Sequence, residues 1–199
     1  MHVTIVILAA GKASRMGSIK QLLPYKDSTL LQFVIKQALN SKANKVYCVL
    51  GANANIISKK IEAKEVTFVY NPDWELGISS SIIAAINHLQ NFEKLPHAIL
   101  VILADQPNVD INYINKLINL HQNNQNKIIA SAYGNINGVP AIFSSQYFEE
   151  LLKLKGDKGA KIFLNKNEEN VVRFASKDIN FLADIDSPED YKKLINKQF

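Results

Sequence analysis

Apolar positions along the chain follow two rhythms. Short unbroken runs rich in β-branched residues stand at 3–8, 46–50, 66–70, 98–103 and 127–132. Runs with no alternating polar face predict strands covered on both sides. Between them the apolar residues fall at helical spacing. Segment 29–40 places Leu30, Leu31, Val34, Ile35 and Ala38 on one face, with Asp27 or Ser28 available as cap. Segment 53–62 predicts a weaker helix, and 79–89 and 111–122 predict stronger ones. Strand alternating with helix predicts an α/β fold: a mostly parallel central sheet between two helical layers, joined by right-handed crossovers. Ligands of such sheets bind beyond the carboxyl ends of the strands.

After Ala132 the rhythm breaks. Residues 133–138 predict a turn-rich loop, and 139–143 a short strand whose Pro140 suits a sheet edge. Helices are expected at 146–154 and 160–164, separated by Gly156-Asp157-Lys158-Gly159. Short strands are expected near 171–174 and 181–185, then a last helix from Pro188 capped by Ser187. No repeat, low-complexity tract or linker interrupts the chain, so 1–199 reads as one domain.

Composition narrows the classes. With 199 residues and 47% hydrophobic content, one medium core is within reach. The net charge of +5 suits an anionic partner, but the basic residues form no long run, so no nucleic-acid partner is expected. Cys48 stands alone inside an apolar run and predicts a buried thiol, not a disulfide. No basic-then-apolar leader and no membrane-length run is present, which predicts a cytoplasmic protein with no membrane partner. His2, His88, His97 and His121 lack metal-ligand spacing, and no nucleophile–base arrangement stands out.

The chemistry gathers at the end of the first strand. Its run stops at Ala9-Ala10-Gly11, where small side chains let a ligand approach the backbone; Lys12, Arg15 and Lys20 follow, interleaved with Ser14, Gly17 and Ser18. Glycines can turn several N–H groups inward, and the cations offset phosphate charge. Gly11 and Gly17 do not fit a Walker A loop, and GxGxxG is absent. Arg15 and Lys20 are the expected phosphate contacts; Lys12 fits either that role or a solvated position. Asp105 follows the most apolar strand, where it could hold Mg²⁺ or cap the next turn. Asp184 and Asp186 are two apart, the spacing that turns both to one side of a strand. Asp186-Ser187-Pro188-Glu189 is equally a helix start. The serines at 79–81 suit a helix N-terminus, and Trp74 suits core packing.

Leu8-Ala9-Ala10-Gly11, Arg15-Met16-Gly17, Lys20 and Leu22-Leu23-Pro24 resemble the LAAGxxxRMGxxKxLLP signature of sugar-phosphate and cofactor nucleotidyltransferases. Four further segments resemble the same group in order: PDWELGISSS at 72–81, LADQP at 103–107, Gly138-Val139-Pro140 with Gly156-Asp157-Lys158-Gly159-Ala160, and IDSPED at 185–190. The LADQP form resembles most the branch acting on the molybdenum cofactor. The resemblance implies a nucleotide-diphospho-sugar transferase-like, three-layer α/β/α fold, with a nucleotide-binding half at 1–110 and an acceptor-binding half at 111–199. It implies transfer of a nucleoside monophosphate, from CTP first, to the terminal phosphate of molybdopterin, with Mg²⁺ as cofactor and pyrophosphate released. Guanylyl transfer from GTP to the same cofactor, transfer to a sugar or polyol phosphate, and a non-catalytic nucleotide- or cofactor-binding chaperone are the alternatives. A molybdenum hydroxylase is the implied receiving partner.

The resemblance also assigns roles. Arg15, Lys20 and Asp105 would be catalytic. Leu8, Ala9, Ala10, Gly11, Lys12, Arg15, Lys20, Gly77, Ser79 and Ser80 would bind the nucleotide. Gly138, Pro140, Asp157, Lys158 and Gly159 would face the acceptor. Asp105 and Asp184 would hold the metal, with Asp186 the competing choice for the second position. Val139 and Lys161 depart from the family pattern and bear on the acceptor's identity.

Overall fold

The computed structural model describes residues 2–91, 95–175 and 179–196. Its centre is a seven-stranded sheet made of β1 (Val3–Leu8), β4 (Lys45–Leu50), β5 (Val66–Tyr70), β6 (Ala98–Leu103), β7 (Ile128–Tyr133), β8 (Ile136–Ser144) and β9 (Val171–Ala175); the two-residue strands β2 (Pro24–Tyr25) and β3 (Ser28–Thr29) form a separate ribbon. The order is β5-β4-β1-β6-β8-β7-β9. Pairings β5–β4, β4–β1, β1–β6 and β7–β9 are parallel, and β8 runs against both its neighbours. Every residue of β1 is buried, as its unbroken apolar run predicts.

The two faces of β1 feed two cores. Val3, Ile5 and Ile7 pack with α1 (Leu30–Leu39), α2 (Ala54–Lys60) and α4 (Ile111–Gln122). Val6 and Leu8 pack on the other side with α3 (Ile78–Gln90), α5 (Phe148–Leu151) and α6 (Gly159–Lys166). This is the expected three-layer sandwich, and period-2 burial of each strand separates its layers. A third small cluster joins Tyr25, Leu30, Ile185 and Leu194, and so docks α7 (Pro188–Asn196) on the ribbon and the start of α1. That docking returns the chain's last third to the first strand's loop.

Several expectations need correction. Thr29, not Asp27 or Ser28, caps α1: its hydroxyl accepts from Gln32 N at 3.3 Å, while Ser28 is paired with Tyr25 in the ribbon. Residues 133–138 are largely sheet, turning only at Gly134-Asn135 before β8 begins. Pro140 lies in an interior strand, not at an edge. The β7–β8 register jumps from Ala130↔Ala141 to Ser131↔Gly138, so Val139 and Pro140 bulge out of the ladder, and a bulge excuses the missing N–H. The helix expected over 146–154 is shorter, a 3-10 turn (Ser145–Tyr147) followed by α5. No strand forms at 181–185. A 3-10 turn (Ile179–Leu182) stands there instead, and the backbone beyond it bonds to the site: Ile185 N donates to Asp105 O at 3.0 Å. Ser187 does cap α7, accepting from Asp190 N at 3.2 Å while the Asp190 carboxylate accepts from Ser187 N and Oγ. No helix among the described residues is long and apolar enough to cross a membrane.

Candidate active site

The carboxyl ends of β1 and β6 lie side by side, with Leu8 opposite Leu103, so the loops that follow both strands open onto one surface. The β1 loop is anchored through its carbonyls. Leu8 O accepts from Ala104 N at 3.1 Å and Ala10 O from Ala52 N at 2.9 Å. Gln21, buried to 5% exposure, donates its side-chain amide to Ala9 O at 2.8 Å and Gly11 O at 3.0 Å. Left-handed Ala13 and Gly17 bracket the short 3-10 turn of Arg15. Nothing lies within 4 Å of where a side chain would project from Gly11, so this part of the loop faces open space.

Two clefts meet at this loop. The smaller, about 80 Å³, is lined by Ala9, Gly11, Ala13, Lys20, Gln21 and Asp105 among others. The larger, about 210 Å³, is lined by Ala10, Gly11, Trp74, Gly77, Ile78, Ser81, Leu103, Asp105 and Asp157 among others. Leu8, Gly11 and Asp105 border both. Lys12 and Arg15 are exposed on the loop and line neither.

The larger cleft is walled by the segment before α3. Trp74 packs on Gly51, where an added Cβ would lie 2.5 Å from the tryptophan's own Cβ. Gly77 has φ +97, and a Cβ there would meet Asp157 Oδ1 at 2.5 Å and the Gly156 backbone at 2.7 Å. Glycine is thus required twice over at position 77, by its backbone angle and by close approach. Asp157 Oδ1 accepts from Ile78 N at 3.2 Å, and so meets a free donor at the start of α3. Ser79 is buried, and its hydroxyl donates to Gly156 O at 2.5 Å; Ser80 Oγ donates to Gly77 O at 2.8 Å. Asn71, 1% exposed, donates to Ser80 Oγ and Ser81 Oγ at 2.9 and 3.0 Å. Both predicted nucleotide-side serines therefore spend their hydroxyl protons on backbone carbonyls.

The other wall carries charge. Lys20 Nζ donates to Asp105 Oδ2 at 2.7 Å and to Asp186 Oδ1 at 3.1 Å. Burial works against the ammonium, but Asp105 and Asp186 outweigh it and hold the lysine above its ordinary range. Asp105 Oδ1 is buried and accepts no hydrogen bond from the described residues. Gln106, 1% exposed, donates to Asp184 Oδ1 at 2.8 Å, Leu182 O at 3.1 Å and Tyr133 Oη at 3.0 Å. Asp184 is exposed overall, yet this oxygen is tucked against a buried amide. Burial first, then the charges of Asp105 and Asp186, push its carboxyl up to about 6, against the opposing pull of the Gln106 amide and Lys20.

The structure thus gathers Leu8, Ala9, Ala10, Gly11, Lys20, Gly77, Asp105 and Asp157 around the two clefts. Asp186 joins Asp105 through Lys20, and Asp184 is held by Gln106, the residue after Asp105. Lys20 faces carboxylates where phosphate contacts were expected. Lys158 and Gly159 sit at the start of α6 outside both clefts, while Gly138 and Pro140 lie in β8, beside the Leu103 end of β6. The residues expected to face the acceptor therefore split between two places. Gln21 and Gln106 were missed, because nothing in their sequence positions signals burial, and Trp74 lines the cleft as well as packing in it. Among the described residues no group of three or more His, Cys, Asp or Glu is placed to hold one metal ion.

Residues 5–171 match the MobA-like NTP transferase domain. The chain belongs to that family. MobA-like relatives at similar length carry diverse names. Purine catabolism protein PucB of Bacillus subtilis is 30% identical, covering 94% of this chain and 92% of its own. Nicotine blue oxidoreductase of Paenarthrobacter nicotinovorans is 30% identical over 97% and 96%, and molybdenum cofactor cytidylyltransferase of Escherichia coli is 26% identical over 94% and 92%. Among solved structures, Rv0371c of Mycobacterium tuberculosis superposes with a TM-score of 0.84 at 27% identity, covering 98% of both chains. A second structure of that protein, in complex with manganese, gives 0.80. CMP:2-keto-3-deoxy-manno-octonic acid synthetase, at 12% identity and a TM-score of 0.77 over the whole of both chains, shows the shared nucleotide-diphospho-sugar transferase-like fold. The MobA-like domain makes the protein a nucleotidyltransferase.

Proposed function

We propose that the protein transfers the nucleoside monophosphate of CTP to the terminal phosphate of a molybdopterin-type acceptor, with a divalent cation, Mg²⁺, as cofactor. The observation that carries this reading is the meeting of the two clefts at Gly11 and Asp105. The larger has apolar and small walls suited to a nucleoside. The smaller is lined by Gly11, Ala13 and Lys20, suited to a phosphate chain. An acceptor phosphate oxygen attacks the α-phosphorus, the bond to the bridging oxygen breaks, and pyrophosphate leaves. Such a reaction needs alignment and neutralised charge more than covalent help.

The residues fit a cation. Asp105 offers a buried oxygen with no donor among the described residues, and the ammonium beside its other oxygen marks a place where positive charge is favoured. Asp105 and Asp184 would hold Mg²⁺, which takes few carboxylates and completes its shell with phosphate and water. Bound there, it would neutralise the triphosphate and the departing pyrophosphate. Lys20 then exchanges its carboxylates for phosphate oxygens, Arg15 and Lys12 reach the chain's outer end from the loop, and Asp157 with Gly77 fixes the wall of the nucleoside cleft. The manganese complex of a structural relative and the cytidylyltransferase name of a sequence relative support this reading. Residues 1–110 would carry most of the nucleotide contacts and 111–199 the acceptor side, with Asp157 as the exception that spans both. The cytoplasm is the matching compartment, and a molybdenum hydroxylase the matching recipient.

Thermal unfolding with CTP, GTP, ATP and UTP, each with and without Mg²⁺, tests it. CTP with Mg²⁺ at a hundredfold excess over its dissociation constant should stabilise by about 2.7 kcal/mol. A selective response to GTP would replace cytidylyl by guanylyl transfer. Because a relative bears a redox name and one fold can host several chemistries, NADPH is included; a response to it in place of every triphosphate would overturn the proposal.

A further inference from the structure

We infer that Gln106 is a positioning residue for the metal-binding carboxylates, aimed by Tyr133, and that the pair holds Asp184 toward Asp105; this rests on the reading of Asp105 and Asp184 as cation ligands. Two observations define the arrangement. First, the hydrogen bonds fix which end of the amide faces the site. Tyr133 donates its hydroxyl proton to Val139 O, so its oxygen can only accept from Gln106. The other two partners, Leu182 O and Asp184 Oδ1, are acceptors as well. A group facing three acceptors must be the NH₂ end of the amide, and a carboxylate there would be repelled by all three. Second, the backbone is shaped to admit Tyr133. A Cβ on Gly138 would come within 2.9 Å of the Tyr133 ring, so glycine at 138 leaves room for the ring over β8.

The consequence is a chain of contacts from the β8 bulge through Tyr133 and Gln106 to the Asp184 carboxylate, 78 residues beyond Gln106 in sequence. Asp184 stands on irregular backbone, with no ladder to fix its side chain. Without the amide its carboxylate would turn to solvent, away from the neighbouring Asp105 charge. Partners of this kind behind a metal ligand typically govern affinity by 10–100-fold. The role also gives Gly138 a function distinct from touching an acceptor.

The test measures Mn²⁺ binding to the full chain, by the electron paramagnetic resonance signal of free Mn²⁺, with CTP present. Gln106→Leu should weaken Mn²⁺ binding by about 10–100-fold, and Tyr133→Phe by a smaller factor in the same direction. CTP binding without metal, followed by fluorescence of Trp74, the protein's one tryptophan, should not change. Unchanged Mn²⁺ affinity in both variants, with Asp184→Asn and Asp105→Ala each impaired, overturns this inference and leaves the metal reading standing. Wild-type affinity in Asp184→Asn overturns both. Should Gln106→Leu fail to fold, Tyr133→Phe decides alone, because it removes only the oxygen that aims the amide.

Discussion

On one side of the site, the loop from Gly11 to Lys20 hangs from carbonyls of its own strand and from Gln21, only ten residues away from Gly11. On the other side, Asp105, Asp184 and Asp186 are drawn together across most of the chain, by a lysine that bridges to a residue 166 positions on and an amide that bridges 78. The loop leaves Arg15 and Lys12 exposed, whereas the carboxylates are held before any ligand arrives. A polyphosphate is long and flexible, so cations on exposed, flexible side chains suit it. A small cation requires its oxygens at fixed distances, so the carboxylate side repays preorganisation.

The sharpest break of this comparison removes one charge from each side. Asp105→Ala should lower turnover by about 10³-fold and abolish the Mg²⁺-dependent part of nucleotide stabilisation, with the far-UV circular dichroism spectrum unchanged. Lys20→Met should also slow turnover by roughly 10²-fold or more, but with the opposite effect on metal. The lysine ammonium sits on Asp105 Oδ2 and competes for the charge of the same carboxylate, so its removal should tighten Mn²⁺ binding in the absence of nucleotide. Equal loss of metal affinity in both variants would show that Lys20 supports the carboxylates and does not compete for them.

The same contrast explains what could be read in advance. The layers, the order of β1, β4, β5 and β6 with their helices, and the loop follow from contiguous patterns, because a strand's burial and a loop's glycines are local properties. Asp105 was legible because it ends the most apolar strand. The carboxylates' partners were not. Lys20 on Asp105 depends on β1 pairing with β6, and Lys20 on Asp186 and Gln106 on Asp184 depend on how the C-terminal segment returns to the site, and no local pattern encodes either. The misread segments at 133–138 and 181–185 were likewise decided by long-range contacts. Turn-forming residues suggest a loop at 133–138 and a largely apolar run a strand at 181–185, but long-range pairing of β8 decided the first, and bonds to Asp105 and Gln106 decided the second.

A smaller effect separates structural from ligand contacts on the nucleoside wall. Ser79 was expected to touch nucleotide, yet its hydroxyl is committed to Gly156 O at 2.5 Å. Ser79→Ala should cost about 1 kcal/mol, a fall of roughly 2–4 °C in the unfolding midpoint for a chain of this size. Nucleotide affinity, followed by Trp74 fluorescence, should change by less than about twofold, since a twofold change is only a fraction of the 1.4 kcal/mol that makes a tenfold one. A large affinity loss without loss of stability would return Ser79 to the nucleotide.

The finest test concerns the charge that preorganisation keeps in place. The Asp184 carboxyl titrates near 6, above its ordinary 3.8, because burial and the Asp105 and Asp186 charges disfavour its ionised form. In the unfolded chain it loses its proton first, so between pH of about 4 and about 6 the folded state binds more protons than the unfolded one. Stability must then fall as pH rises through that window, and the deficit persists above it. Asp184→Asn removes the titration, so the variant's unfolding midpoint in metal-free buffer should exceed that of the wild type at pH 7.5, with the gap closing as pH falls to 4. Saturating Mg²⁺ with CTP should reverse the order at pH 7.5, since the wild type alone gains a cation between the carboxylates. A gap that does not vary with pH would mean that Asp184 is solvated in the folded protein, and that the carboxylate side is no more preorganised than the exposed cations of the loop across from it.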